Sequence, residues 1–203
     1  SFAPFQEHNI DLYKMVLDQA LKFSEQELAP LNKVGDQHEC SLKNGQVKTP
    51  PGFKKAFQLF GQNGFIAIDV SPKYGGQGLP ASLAVACHEF FMGANIALLM
   101  YPGLIRGSAH LIETFGTPVL TDLFCAKMYA GKWAGTMCLT EPQAGSAVGD
   151  LSTQAIKNND GTYSIKGNKI FISGGDQDFT ENIIHLVLAR IQGDPPGTKG
   201  ISL

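Results

Sequence analysis

The sequence has few charged residues. Asp, Glu, Lys and Arg make up 17% of 203 residues, the net charge is −2, and no block of Lys or Arg occurs. That balance argues against a strong electrostatic binder of nucleic acid. Cysteine is sparse and scattered: Cys40, Cys87, Cys125 and Cys138 form no C-x-x-C pair and no Cys/His ligand spacing. Cys87 and His88 are adjacent, and adjacent residues on a helix point apart. No metal centre is expected, and the four thiols read as reduced and partly buried in a cytosol-like compartment, the cytoplasm or, in a eukaryote, the mitochondrial matrix. No signal-peptide pattern opens the chain, and no apolar run looks long enough to span a bilayer. The stretch Ser71–Pro80 has three glycines and two prolines. It has no Gly-Lys-Ser/Thr ending and no dinucleotide fingerprint, so it reads as a structural turn.

What is present is apolar and periodic. A hydrophobic content of 43% fits a folded globular chain of one or two domains with a sizeable core. After an extended arm, Asn9 is an acceptable N-cap. Ile10, Leu12, Tyr13, Val16, Leu17, Ala20, Leu21 and Phe23 follow at helical spacing. This helix is expected to stop near Ala29, before Pro30. Residues 31–49 read as a loop, and Pro50-Pro51 open a second helix that closes at Gly61 or Gly64. Residues 81–99 form the most apolar helix, hydrophobic nearly all round and so expected to be buried in a bundle. His88-Glu89 on it reads as a solvated edge. Pro102-Gly103 is expected to break the chain before a helix over 104–115. Another helix runs from Thr117-Pro118 to about Ala130. These five helices, with no strand before residue 133, make an all-α first domain over 1–132.

From Trp133 the period changes to that of strands. Residues 153–157, 163–166, 169–173 and 183–191 are β-rich. Asn158-Asn159-Asp160-Gly161 signals a hairpin, and Gly167-Asn168 a second tight turn. The expectation over 133–203 is an incomplete antiparallel β-barrel or sandwich, with Ile201-Ser202-Leu203 starting a further strand. The whole is α+β and multidomain.

Two strand ends carry hydroxyls beside apolar residues: Met137 to Ser146, and Phe171-Ile172-Ser173-Gly174-Gly175. A planar redox ring needs an apolar face to lie against and donors at its heteroatoms, and such ends could supply both. Common structural turns have the same residues, so both readings stand on residue types alone.

The motifs resemble a known family. Leu139-Thr140-Glu141-Pro142-Gln143-Ala144-Gly145-Ser146, followed after a hairpin by Gly167 to Gly174, looks like the two flavin-contact segments of the acyl-CoA dehydrogenases. Tyr74-Gly75-Gly76-Gln77-Gly78 is similar to the family's glycine-rich loop. The likeness is co-linear over nearly all the chain and covers the family's N-terminal α and middle β domains. It implies an FAD cradle. Met137, Leu139 and Thr140 would line the isoalloxazine ring, and Ser146 would sit near the flavin pyrophosphate and the CoA part of the substrate. Phe171 would pack on the ring, with Ile172 beside it, and Ser173 would reach the reactive nitrogen. Gln143 in place of a commoner glycine, and Ala147 in place of an aspartate, are departures. The family's catalytic base belongs to its C-terminal helical domain, outside the resemblance, so no catalytic residue is expected here. Glu141 beside Pro142 reads as a structural hydrogen-bonder.

The implied activity is α,β-dehydrogenation of an acyl-CoA thioester, with electron-transfer flavoprotein as acceptor and a homodimer or homotetramer as the full-length state. Met100 and Tyr101 are candidate liners of the acyl pocket. Acyl-CoA oxidases, flavin monooxygenases, nitroalkane oxidases and a DNA-associated alkylation-response flavoprotein share these two domains and are the alternatives. So is a binding module that has lost the cofactor. The 203 residues alone are expected to bind FAD weakly or not at all, and to be inactive.

Overall fold

A computed structural model describes residues 5–203. Residues 1–4 of the expected arm lie outside the described residues. At Phe5 the chain makes a tight turn, His8 N donating to Phe5 O at 3.1 Å. The chain divides into two compact units. One holds the residues up to Gly135 together with Asp176–Ile183. The other holds Thr136–Gly175 and Ile184–Leu203.

The first unit is helical. Helix α1 (Ile10–Phe23) starts where the Asn9 side chain accepts from Leu12 N at 2.8 Å, and buries Val16, Ala20 and Phe23. It does not stop at Ala29. A π-helical turn, Ser24–Leu28, leads straight into α2 (Ala29–Gln37), with Pro30 in its first turn. Proline lacks an N–H and its ring crowds the preceding turn, and a wider π turn accommodates both. The expected loop 31–49 contains a second difference. Strands β1 (Ser41–Lys43) and β2 (Gln46–Lys48) pair antiparallel across Asn44 (φ 52°) and Gly45 (φ 74°). Two positive φ values in an Asn-Gly turn are the geometry that matches strand twist.

Helix α3 (Phe53–Gln62) leads through the buried run Phe65–Ile68 to the glycine-rich turn. A Cβ on Gly76 would fall 2.1 Å from Val70 O, so the turn requires glycine there. Helix α4 (Ala81–Phe115) is one element, where a break at Pro102-Gly103 was expected. The interruption is a kink at Asn95 (φ −159°, ψ 86°), whose buried side chain accepts from Leu98 N at 3.0 Å and donates to Leu28 O at 3.3 Å. It caps the second half of the helix internally, which leaves Pro102 to continue a helix already restarted. Only one face of α4 is buried, through Leu83, Cys87, Phe91 and Leu98, whereas Val85, Met92, Ile96 and Met100 are exposed. At 35 residues α4 is long and apolar enough to cross a membrane by length and composition, contrary to expectation. Helix α5 (Pro118–Tyr129) is capped by Thr117.

Phe23, Phe60, Phe65 and Phe91 form the core, their ring centroids 4.8 to 6.4 Å apart. The late segment Asp176–Ile183 returns to this unit. Phe179 stacks on Phe57 at 5.0 Å and meets Tyr101 edge-on at 4.6 Å. Asp178 accepts from Thr49 Oγ1 at 2.6 Å.

In the second unit β4 (Gln154–Lys157) and β5 (Tyr163–Lys166) form the expected hairpin, Ala155 opposite Ile165. The sheet order is β5-β4-β7-β8, with β7 (Ala189–Ile191) and β8 (Ile201–Ser202). It is an open sheet with no closed barrel among the described residues, and β4 and β7 pair parallel. Strands β3 (Trp133–Cys138) and β6 (Asn182–Val187) pair separately. The expected strand 183–191 is thus two strands divided at Leu188. Two further expectations fail. Residues 169–172 form no strand and Ser173 lies in a turn, because Phe171 takes a left-handed backbone (φ 55°) that a strand does not accommodate. Gly167 makes no turn; it lies so close to Thr153 that a Cβ would fall 2.0 Å from its Oγ1. All four cysteines are free; Cys40 is exposed and the other three are buried.

Candidate functional site

The site is built in the sheet unit where β3 ends. Along β3 Thr136 and Cys138 are buried and Met137 is 37% exposed, the alternation a strand imposes. Leu139 and Thr140, just past the strand, are half-buried. The chain then doubles back: Glu141 N donates to Ala144 O at 2.9 Å and Ala144 N to Glu141 O at 3.1 Å, with Pro142-Gln143 at the tip. Ser146 lies beyond this turn and is exposed.

The second segment lies alongside. Ile170 N donates to Thr140 O at 3.0 Å, and Lys169 Nζ donates to Leu139 O at 3.0 Å. These bonds hold the Leu139-Thr140 end beside the Lys169–Phe171 arm. Phe171 is 88% exposed on its left-handed backbone, Ile172 is half-buried, and Ser173 is exposed. Gly175 N closes a turn onto Ile172 O at 3.0 Å. Met137, Leu139 and Thr140 at the end of β3, and Phe171, Ile172 and Ser173 on the non-strand segment beside it, therefore belong to two segments joined by hydrogen bonds. Ser146 is outside that junction.

Under the surface lies a buried ion pair. The Glu141 side chain is fully buried, and its carboxylate accepts from Lys169 Nζ (2.9 Å), Ser152 N (2.6 Å), Ser152 Oγ (2.7 Å), Thr153 N (3.0 Å) and Gln143 Nε2 (2.7 Å). Burial alone would disfavour the charged form. The hydrogen bonds from Lys169, Thr153 and Ser152 overcome that and hold its pKa well below the usual carboxylate range. A carboxylate so saturated is no proton acceptor, which agrees with the structural reading of Glu141. Gln143, the departure from glycine, earns its place by bonding that carboxylate and Ser152 Oγ (3.0 Å). Lys169, Ser152 and Thr153 were not singled out by sequence. The available signal was Lys169 itself, a cation at the head of the apolar run Ile170-Phe171-Ile172.

A smaller polar group lies on β3 and β6: Thr136 Oγ1 is 2.7 Å from His185 Nδ1, and Cys138 Sγ is 3.5 Å from Thr136 Oγ1. Elsewhere, Arg190 donates to the carbonyls of Gly197 (2.9 Å), Gly149 (3.0 Å) and Pro195, tying two loops together. In the helical unit His88 bonds Ala84 O at 2.7 Å and, with Met92, Ile96 and Met100, lines an apolar groove of about 250 Å³. Tyr101 packs instead against Phe179, and burial, with Cys40 beside it, pushes its hydroxyl up to about 12. No group of three metal-ligating side chains occurs among the described residues.

The surface where the end of β3 meets the 169–173 segment offers exposed apolar side chains, hydroxyls and main chain, with its charges neutralised inside. That set of groups suits a flat ring with one polar edge.

A helical unit followed by a small sheet unit is the arrangement of the first two domains of the acyl-CoA dehydrogenase fold. Residues 11–132 match the family model for the acyl-CoA dehydrogenase N-terminal domain, and residues 136–203 the model for the middle domain. The chain belongs to the acyl-CoA dehydrogenase family. It is 36% identical over 199 residues to 3-methylmercaptopropionyl-CoA dehydrogenase of Ruegeria pomeroyi, covering 98% of this chain and 34% of that protein. It is also 36% identical to a broad-specificity linear acyl-CoA dehydrogenase of Mycobacterium tuberculosis, over 98% of this chain and 33% of that one. Butyryl-CoA dehydrogenase from Megasphaera elsdenii superposes with a TM-score of 0.74 at 26% identity, over 95% of this chain and 46% of that chain. An acyl-CoA dehydrogenase from Bacillus anthracis, complexed with FAD, superposes with a TM-score of 0.74 at 25% identity, over 93% and 30%. The chain thus spans about a third of the length of the curated relatives it matches.

Proposed function

We propose that this chain is the N-terminal and middle part of an FAD-dependent acyl-CoA dehydrogenase that desaturates an acyl-CoA thioester between its α and β carbons. The observation that carries the reading is the hydrogen bond from Ile170 N to Thr140 O, which holds the end of β3 beside the segment with Phe171 and Ser173. Met137, Leu139 and Phe171 offer apolar surface to the flavin ring, with Ile172 supporting Phe171. Thr140 and Ser173 offer hydroxyls to its polar atoms, and Ser146 serves the pyrophosphate and the CoA portion. FAD, when bound, supplies the hydride acceptor. Fixed dipoles at Thr140 and Ser173 favour the negative charge that builds on an acceptor there. The α-proton goes to a carboxylate in the family's third domain, and Glu141 takes no part in that transfer. The relatives that act on acyl-CoA thioesters support the substrate class, and the FAD complex of the Bacillus anthracis relative supports the cofactor. A chain in the structure of the electron transferring flavoprotein of Acidaminococcus fermentans superposes with a TM-score of 0.75, which supports such a flavoprotein as acceptor. A homodimer or homotetramer is the proposed state of the full-length protein.

The test is to titrate FAD into the full-length protein and then add acyl-CoA thioesters of graded length while following flavin absorbance. Bleaching is the expected result. A protein that retains no flavin would sink the reading. One that keeps flavin but is reduced by no thioester would belong to another chemistry of the same fold.

A further inference from the structure

The Lys169 side chain is 11% exposed, and its ammonium lies between two acceptors, the Leu139 carbonyl at 3.0 Å and the Glu141 carboxylate at 2.9 Å. The bond to Glu141 satisfies a buried charge. The bond to Leu139 does something further. A trans peptide directs its C=O and N–H to opposite sides, and no cis peptide occurs among the described residues. The N–H of the Leu139-Thr140 peptide belongs to Thr140 and points away from Lys169. It makes no backbone hydrogen bond among the described residues. Thr140 is also fixed through its own carbonyl, which accepts from Ile170 N at 3.0 Å. A cation bound to one end of a peptide polarises the other end, and the effect is large where water is excluded.

We propose that Lys169 is an electrostatic positioning residue. Its ammonium sharpens the Thr140 N–H as a donor toward the polar edge of the bound flavin, and Glu141 moderates that effect by sharing the same ammonium. The inference rests on the FAD reading above. The pair is neutral, so it draws no anion to the site, yet its cationic member is the one in contact with the Leu139-Thr140 peptide. A residue serving structure alone would have no reason to make the sign of its partner's charge matter.

That sign gives the test, made on full-length holoprotein with the flavin midpoint potential and the FAD dissociation constant as readouts. Lys169→Met leaves the carboxylate without its cation. It is expected to lower the potential and weaken FAD binding by up to about tenfold, as the Thr140 N–H loses the charge assistance that sharpens its hydrogen bond. Glu141→Gln leaves the ammonium undivided and is expected to raise the potential. Lys169→Arg keeps the charge and is expected to stay on the wild-type side of Lys169→Met. Should Lys169→Met fail to fold, the double variant Lys169→Met/Glu141→Gln, with no buried charge, replaces it and is expected to lie below Glu141→Gln. Shifts in the same direction for the Lys169 and Glu141 changes, or no shift in either, would overturn the proposal. A wild-type protein that holds no flavin would overturn the FAD reading itself, an outcome distinct from holding flavin with shifts of one sign.

Discussion

In the helical unit four phenylalanine rings, from α1, α3, the turn after it and α4, meet with centroids 4.8 to 6.4 Å apart. In the sheet unit the centre is a carboxylate, Glu141, with five donors around it, while the strands of the hairpin β4–β5 bury little beyond Ala155. The two units solve the same problem with different forces. Apolar contact is non-directional, so a ring cluster tolerates small shifts and fails in proportion to lost volume. A buried charge is directional and asymmetric: complete, its net contribution is modest; missing a partner, it is costly.

That contrast can be tested by removing each centre. Glu141→Ala strands the Lys169 ammonium and two backbone N–H groups, and is expected to destabilise by about 5 kcal/mol. Phe91→Ala opens a cavity in the helical unit and is expected to cost about 3 to 4 kcal/mol. Denaturant titration of both variants, with domain-resolved hydrogen exchange, should show each loss confined to its own unit. A global loss from either change would erase the distinction.

Acid separates the units without mutation. The folded pKa of Glu141 is depressed, so its stabilisation is complete above the unfolded value of about 4.3 and is lost as pH falls through the lower folded value. The amides of Ser152 and Thr153, which donate to that carboxylate, should lose exchange protection below about pH 4, ahead of those of α4. In Glu141→Gln this acid sensitivity should disappear.

The smallest effect is expected where neither force dominates. Asn44→Ala in the β1–β2 turn places a Cβ residue without a local hydrogen-bonding side chain at φ 52°. It should cost about 0.5 to 1 kcal/mol, read as a shift in the denaturation midpoint. A larger loss would mean that the hairpin belongs to the helical core.

Which parts of the molecule were legible in the sequence follows from the same contrast. Helical periodicity is local, so α1, α3 and α5 and the change of pattern near Trp133 could be read directly. The continuation through Pro30 could not, because it depends on a π turn that adjusts the register. Nor could the position of the break in α4, set by Asn95 reaching Leu28 rather than by the more conspicuous Pro102. The Asn44-Gly45 hairpin was readable and was masked by the polar residues around it. At the site, the two segments stood out by motif, but the second was expected as a strand and is not one. Their fastening was not, since Glu141 and Lys169 are 28 residues apart and nothing local marks them as partners. The return of Phe179 to the helical unit is non-local for the same reason.

Phe171 combines two states that a free chain avoids, a left-handed backbone and an open aromatic face. The first costs about 1 to 2 kcal/mol for a residue with a Cβ. Covering the ring would return about 1.5 to 3 kcal/mol. A planar surface laid against the ring would offset the backbone cost without removing it. The backbone cost is the same with the ring open or covered, so on the proposed flavin reading the burial of this one side chain would be a net gain on binding.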